Sequence, residues 1–140
     1  MEPQSKKSWM RSLGAIFAGF IATALTHIGT DIVMHATGIF PPWGQPMSDG
    51  LFVWATVYRS IWSILGSYLT ARLAPNNPMA HAMAGAVIGI ALSAVGAAAT
   101  WNKGAEFGPH WYPIALIILV LPCAWIGGKL QAMQRNKNGN

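Results

Sequence analysis

Four polar residues recur at every fourth position in the second half of an otherwise apolar segment near the N-terminus. The segment covers residues 13–35 (LGAIFAGFIATALTHIGTDIVMH), and the polar residues are Thr23, His27, Asp31 and His35. Each step of four residues turns an α-helix about 40° past a full turn, so the four side chains form one slowly drifting stripe. Ionisable groups inside a membrane span are costly and usually face a protein interior, a cavity or a partner. The stripe therefore indicates a polar site, although it names no reaction and no substrate.

Arg59 lies inside the second apolar segment and is the natural partner for Asp31. It follows the predicted outer start of that segment by about nine residues, or ~13 Å, and its long side chain can reach toward the outer face. Asp31 lies near the outer end of the first segment, with His27 close to the same level. Three hypotheses remain open for His27, Asp31, Arg59 and Thr23. They form a structural ion pair that joins two helices or a polar pathway toward the outer face, or Arg59 simply extends its side chain to the membrane surface.

A metal site is an alternative interpretation of the histidines. His27 and His35 are about 12 Å apart along a helix, which is too far for both to bind one ion through bonds of about 2 Å. Asp31 and His35, joined by His110 at the predicted start of the fourth span, form a three-ligand candidate near the outer face. His35 and His110 are also the one pair placed to hold haem, although no CxxCH attachment motif is present. The main expectation is that the protein has no metal and no cofactor.

The motifs of several large enzyme classes are missing. The chain has no GxxxxGK phosphate loop, no HExxH and no GxSxG. Asp31 is the one carboxylate well inside the predicted spans, so a catalytic carboxylate pair is excluded. A single cysteine, Cys123, rules out an intrachain disulfide. No catalytic residues are assigned, and the sequence favours a protein that is not an enzyme.

Composition places the chain in a membrane. Of its 140 residues, 53% are hydrophobic and 9% are charged, whereas a soluble domain has about 25% charged residues. Four segments are each long enough, at about 20 residues, to cross roughly 30 Å of hydrocarbon. The prediction is an all-α integral membrane protein with four transmembrane helices in an up-down bundle, covering residues 12–132. The spans are predicted at about residues 12–35, 51–73, 79–101 and 113–130.

Basic residues assign the two sides of the membrane. Seven Lys and Arg residues lie in the N-terminal tail, the second connection and the C-terminal region, and Lys103 alone lies on the other side. The positive-inside rule therefore predicts an inner (plasma) membrane protein with cytoplasmic tails at residues 1–11 and 133–140. The long first apolar run favours a retained helix over a cleaved signal peptide. Because the basic residues flank the spans, the net charge of +5 is not taken as a sign of nucleic-acid binding.

The third segment carries a ladder of small residues at Gly85, Gly89, Ser93 and Ala97. Small residues at every fourth position let a neighbouring helix approach closely. The neighbour is either a helix of the same chain or a second copy, and the sequence does not separate the two. Residues 14–26 also align without gaps on residues 85–97, which suggests two tandem helical hairpins.

Three functions are weighed on this basis. The leading hypothesis is a non-enzymatic protein of the bilayer, which acts as a transporter or channel-like homo-oligomer or as an accessory subunit of a membrane complex. The second is a membrane-embedded metal or redox enzyme that uses the outer histidines. The third is a scaffold that binds a partner protein through the small-residue ladder.

Overall fold

The computed structural model describes residues 3–138, and the side chains of residues 6–138, as an all-helical protein. Four long α-helices follow one another, with a single 3₁₀ turn at Ala105–Phe107 before the last. The long helices are α1 Pro3–Ala36, α2 Asp49–Leu73, α3 Pro78–Thr100 and α4 Trp111–Asn138.

The helices α1 and α4 extend beyond the predicted spans. Helix α1 begins at Pro3, and α4 continues to Asn138, so both include residues that we expected in polar tails. A helix can continue into polar sequence because its backbone hydrogen bonds do not depend on lipid. Pro122 lies inside α4 without ending it. Pro78 occupies the first turn of α3, where its missing N–H leaves no hydrogen bond unmade.

Three of the four helices are long and apolar enough to cross a membrane. The qualifying segments lie in α1, in α3 and around α4, with mean hydropathies of 1.5, 2.0 and 1.9. Helix α2 does not qualify, although its 25 residues are enough for a span. It carries Arg59 together with several serine, threonine and tyrosine residues, which lower its hydropathy.

Contacts between the helices show the direction in which each one runs. Helices α1 and α2 are antiparallel, because residues later in α1 contact residues earlier in α2, as in the pairs Gly19–Gly66, His27–Arg59 and Asp31–Tyr58. The same is true of α3 and α4, through the pairs Ala82–Gly128 and Gly89–Val120. Helices α2 and α4 run in the same direction, through the pairs Phe52–Tyr112 and Ile64–Gly127. The four helices therefore alternate up and down, with α1 packed along α2 and only lightly against α3.

The crossing of α1 and α2 depends on two matching Gly-xxx-Thr pairs. A Cβ atom on Gly19 would overlap Thr70 Oγ1, and a Cβ atom on Gly66 would overlap Thr23 Oγ1. The same hypothetical Cβ atoms would lie 2.7 Å from the Gly66 carbonyl oxygen and 3.0 Å from that of Gly19. Only glycine at both positions allows the two backbones to come this close.

Helix α4 makes two further close approaches through adjacent glycines. A Cβ atom on Gly127 would collide with the α2 backbone, at the carbonyl oxygen of Ile64 and, at 2.7 Å, the nitrogen of Tyr68. A Cβ atom on Gly128 would meet Met79 Sδ of α3 at 2.9 Å. These two glycines therefore allow α4 to pack closely against both α2 and α3.

The connection between α1 and α2 folds back over the end of the bundle. Gly38 and Gly44 adopt φ values of +74° and +80°, which glycine tolerates best. Phe40 is only 2% exposed and packs with Ala55 and Tyr58 of α2. The loop thus covers the end of the bundle where Asp31 and Arg59 lie.

Candidate functional site

The centre of the site is the Asp31 carboxylate, which joins α1 to two consecutive residues of α2. One carboxylate oxygen pairs with Arg59 Nη2, and the other accepts a hydrogen bond from the Tyr58 hydroxyl. The side chains of Arg59 and Asp31 are 26% and 18% exposed. A charge-assisted hydrogen bond in such a sheltered position is stronger than a neutral one, and it neutralises both groups. The structure therefore makes the Asp31–Arg59 contact that the depth of the two residues predicts.

Two more side chains tie the same helices together. His27 Nε2 lies 3.0 Å from the Arg59 carbonyl oxygen, to which it can donate. Trp62 Nε1 donates to Thr30 Oγ1 over 2.9 Å. Thr23, the lowest member of the polar stripe, bonds back to the Gly19 carbonyl oxygen at 2.9 Å. Thr23 thus belongs to the helix crossing, about two turns of helix away from Asp31.

Arg59 lies between two cavities. One cavity lies beneath the loops at the end of the bundle and is called the outer cavity; its volume is about 420 Å³, and it is lined by Asp31, Tyr58 and Arg59 together with aromatic residues of the loops. The other lies among the helices and is called the inner cavity; its volume is about 150 Å³, and it is lined by Arg59 and His27 as well as by serines of α2 and α3. Arg59 thus lines both the cavity under the loops and the pocket inside the bundle.

The Arg59 guanidinium is not fully satisfied by its neighbours. Its Nε atom is buried and has no hydrogen-bond partner among the described residues. A buried N–H group without an acceptor costs about 1–3 kcal/mol, so this donor is a local cost of placing the guanidinium between the helices.

The two outer histidines are engaged with their own loops. His35 Nδ1 lies 2.6 Å from the Pro41 carbonyl oxygen, and its ring stacks on Trp43 at a centroid distance of 3.6 Å. His110 Nε2 lies 3.0 Å from the Trp101 carbonyl oxygen, and its ring stacks on Trp101 at 4.3 Å. Between residues 3 and 138, no three His, Cys, Asp or Glu side chains come together as a metal site requires. The three-ligand set of Asp31, His35 and His110 is not assembled in this conformation.

The small-residue ladder of α3 faces the inside of the bundle. Ala97 is buried, while Gly85, Gly89 and Ser93 are partly buried and line a third cavity of about 290 Å³. This cavity extends between α1 and α3. The ladder therefore leaves a gap between two helices of one chain, because α1 does not close onto it.

Several important residues were not identified from sequence. Tyr58 is the second partner of Asp31, and its position directly before Arg59 is the one signal that could have found it. The Gly-xxx-Thr pairs of α1 and α2 are visible in the sequence as a spacing shared by both helices. His81 Nε2 also lies 2.9 Å from Ser12 Oγ and links α3 to α1.

Comparison with known proteins identifies no relative. No protein-family model matches the chain, and neither does any curated protein sequence or solved structure.

Proposed function

We propose that all four helices, including α2, cross a bacterial-type inner membrane with both termini in the cytoplasm. Three helices have the required hydropathy, and α2 contacts α1 and α4 through residues that range from Phe52 to Thr70. The polar groups that lower the hydropathy of α2 include Arg59, whose charge is balanced by Asp31. The basic residues at one end of the bundle support the cytoplasmic assignment of the termini.

We further propose that the protein is a small transporter or channel-like protein whose polar pathway passes the Asp31–Arg59 pair. The observation that carries the proposal is that Arg59 lines both the outer and the inner cavity. A solute that moves from one cavity to the other passes the guanidinium, with Asp31 and Tyr58 on the outer side and His27 on the inner side. Ionisable residues that face cavities inside a membrane are the usual elements of such pathways.

Replacement of Asp31 tests this pathway. Asp31→Asn keeps the side-chain shape but removes the charge that holds the Arg59 guanidinium. We expect at least a tenfold fall in flux through liposomes containing the purified protein, measured separately for protons, potassium and chloride. Asp49→Asn is the matched control, because Asp49 begins α2 and lines none of the described cavities. If the wild-type protein carries none of the three ions, or if both variants carry them equally well, the pathway is refuted for these ions.

A second candidate is an accessory subunit of a membrane complex, in which the same cluster is structural. It is favoured by the fact that the contacts of Asp31, His27 and Thr30 described above all connect α1 to α2. Under this hypothesis Asp31→Asn loosens the hairpin and reduces assembly, whereas a transporter variant assembles normally and loses flux. Native mass spectrometry of the protein released gently from detergent reports the assembly directly. A homo-oligomer supports the transporter, and a bare monomer supports the accessory subunit.

A further inference from the structure

A cavity opens at the end of the bundle that lies opposite Asp31, where α2 ends beside the last turns of α4. Its volume is about 500 Å³. Apart from Ala74, every residue that lines this terminal cavity carries side-chain hydrogen-bond donors; these residues are Arg72, Gln131, Gln134, Arg135 and Asn138. The four from α4 follow one another at spacings of three, one and three residues, so they share one face of the helix. The polar face of α4 and the end of α2 therefore border a space that offers donors to a ligand.

A chain of hydrogen bonds holds Arg72 beside this face of α4. Arg72 Nη1 donates to the Tyr68 hydroxyl over 3.3 Å, and the Tyr68 hydroxyl donates to Gln134 Oε1. Because the Gln134 oxygen accepts this bond, the amide NH₂ group of the same side chain remains a donor. The close packing of Gly127 against the Tyr68 backbone fixes α2 and α4 relative to each other on the inner side of the cavity. Arg72 and Gln134 are therefore positioned before a ligand binds.

The two guanidinium groups of the terminal cavity have no carboxylate partner among residues 3–138. The acidic residues in this part of the chain are Asp31, Asp49 and Glu106, and all three lie toward the other end of the bundle, where α2 begins. The Asp31–Arg59 contact is the one ion pair of the described residues. The C-terminal ends of α2 and α4 each contribute only about half a negative charge, so about one positive charge of the arginine pair is left without compensation.

We propose that the terminal cavity binds a phosphate group, which Arg72 and Arg135 contact as charged donors and the glutamine and asparagine amides contact as neutral donors. The site selects an anion because two of its side chains are positively charged and none is negatively charged. Arginine suits this role, since its planar guanidinium can donate two parallel hydrogen bonds to a phosphate and stays charged at physiological pH. A phosphate is favoured over a carboxylate because it presents more oxygen atoms to the donors around the cavity.

Two sources can supply this phosphate, namely a lipid head group and a soluble phosphate ester. The volume of about 500 Å³ lies in the range of about 300–1,000 Å³ that small-molecule sites occupy, so the cavity has room for a phosphate together with its substituent. In the orientation proposed above, this end of the bundle meets the cytoplasmic leaflet, whose anionic lipids attract basic residues next to a span. The lipid source therefore rests on the proposed membrane insertion, whereas the soluble source does not require it.

Lipid retention by the full-length protein tests the first source, with native mass spectrometry as the readout. In nanodiscs of phosphatidylcholine with a minor share of phosphatidylglycerol, we expect the anionic lipid to be retained at least tenfold more often than its share predicts. The double variant Arg72→Gln, Arg135→Gln should abolish this preference. Lys7→Gln, Arg11→Gln is the matched control, since it removes two positive charges from the same end of the bundle but outside the described cavities, and should retain lipid as the wild type does.

Binding of inorganic phosphate to the same proteins in neutral detergent micelles tests the second source. Isothermal titration calorimetry measures the affinity without a bilayer. Phosphate binding that falls at least tenfold in the Arg72 and Arg135 double variant, without a preference for phosphatidylglycerol in nanodiscs, would identify a soluble ester as the occupant. A preference for phosphatidylglycerol that depends on the same two arginines would identify the lipid head group. Either result supports a phosphate site in the terminal cavity.

Other outcomes overturn the inference. Equal losses in the two double variants would show that the net charge of this end, rather than the terminal cavity, attracts the anion. A wild-type protein that shows neither the lipid preference nor phosphate binding would refute the site outright. Far-UV circular dichroism of both double variants checks that they are folded. A protein that inserts and carries ions but binds no phosphate group contradicts this inference alone, whereas failure to insert contradicts the proposed function and leaves the micelle measurement to decide the site.

Discussion

The close crossing of α1 and α2 leaves no room for a side chain at Gly66. Gly66→Ala places a methyl group on Thr23 Oγ1 and 3.0 Å from the Gly19 carbonyl oxygen. Overpacking of this kind costs about 1–3 kcal/mol. Thr23 would have to rotate away and give up its 2.9 Å hydrogen bond to Gly19, at a further cost of about 1 kcal/mol. Because alanine has a higher helix propensity than glycine, the substitution also stabilises the folded state by up to about 1 kcal/mol.

The net expectation is a loss of about 2 kcal/mol in the free energy of unfolding, or roughly a thirtyfold change in the ratio of folded to unfolded protein. Reversible unfolding in mixed detergent micelles, followed by circular dichroism, measures this quantity. The double variant Thr23→Ala, Gly66→Ala removes the clashing oxygen and should recover at least half of the loss. Gly29→Ala is the control, because a Cβ atom there has open space and should not destabilise. If Gly66→Ala is as stable as Gly29→Ala, the close crossing described here is wrong.

Two further predictions concern the contacts of α4 and the indole of α2. Gly127→Ala pushes a methyl group into backbone and should cost at least about 2 kcal/mol. Gly128→Ala meets the flexible Met79 side chain and, at 3.1 Å, the Ala82 methyl group, so it should cost less than Gly127→Ala. Equal unfolding free energies for the two variants would contradict the packing of α4. Trp62→Phe removes the 2.9 Å hydrogen bond to Thr30 and should cost about 1 kcal/mol. Thr30→Val removes the same bond together with the 2.7 Å bond from Thr30 Oγ1 to the Thr26 carbonyl oxygen, and should cost more than Trp62→Phe. The double variant should cost less than the sum, and simple additivity in the unfolding free energy would show that the bond contributes nothing.

The part of the site that sequence predicts is the part governed by helix geometry. Asp31 and Arg59 lie at calculable depths because every helical residue advances the chain by the same 1.5 Å. Their contact follows from that arithmetic and from the length of the arginine side chain. Hydropathy predicts the limits of the apolar segments in the same way, although a helix itself can continue beyond such a segment, as α1 and α4 do.

The positions of the outer histidines depend on loop conformation instead. His35 shares a stripe with Asp31, but its ring turns toward Pro41 and stacks on Trp43 in the following loop. His110 pairs with Trp101 across the third connection. Helical periodicity says nothing about how these loops fold back. The sequence could therefore suggest that His35 and His110 bind one metal ion, but it could not show that each ring contacts its own loop instead.

The cavities could not be predicted either. The small-residue ladder indicates that a neighbour can approach closely, but it does not say how far α1 remains from α3. That separation follows from the crossing at Gly19 and Gly66, which draws α1 toward α2. Recognition of the shared Gly-xxx-Thr spacing in α1 and α2 would have indicated this pairing from sequence.

The Asp31–Arg59 pair has a consequence for synthesis of the chain. The two residues are 28 positions apart, and the partners described for the Asp31 carboxylate lie within the first two helices. The hairpin formed by α1 and α2 therefore contains its own counter-charge before α3 is translated. In the membrane insertion that we propose, a nascent chain that ends after Leu73 can already place both charged residues in the bilayer as a neutral unit. Helices α3 and α4, whose mean hydropathies are close to 2, would then insert without any help from that pair.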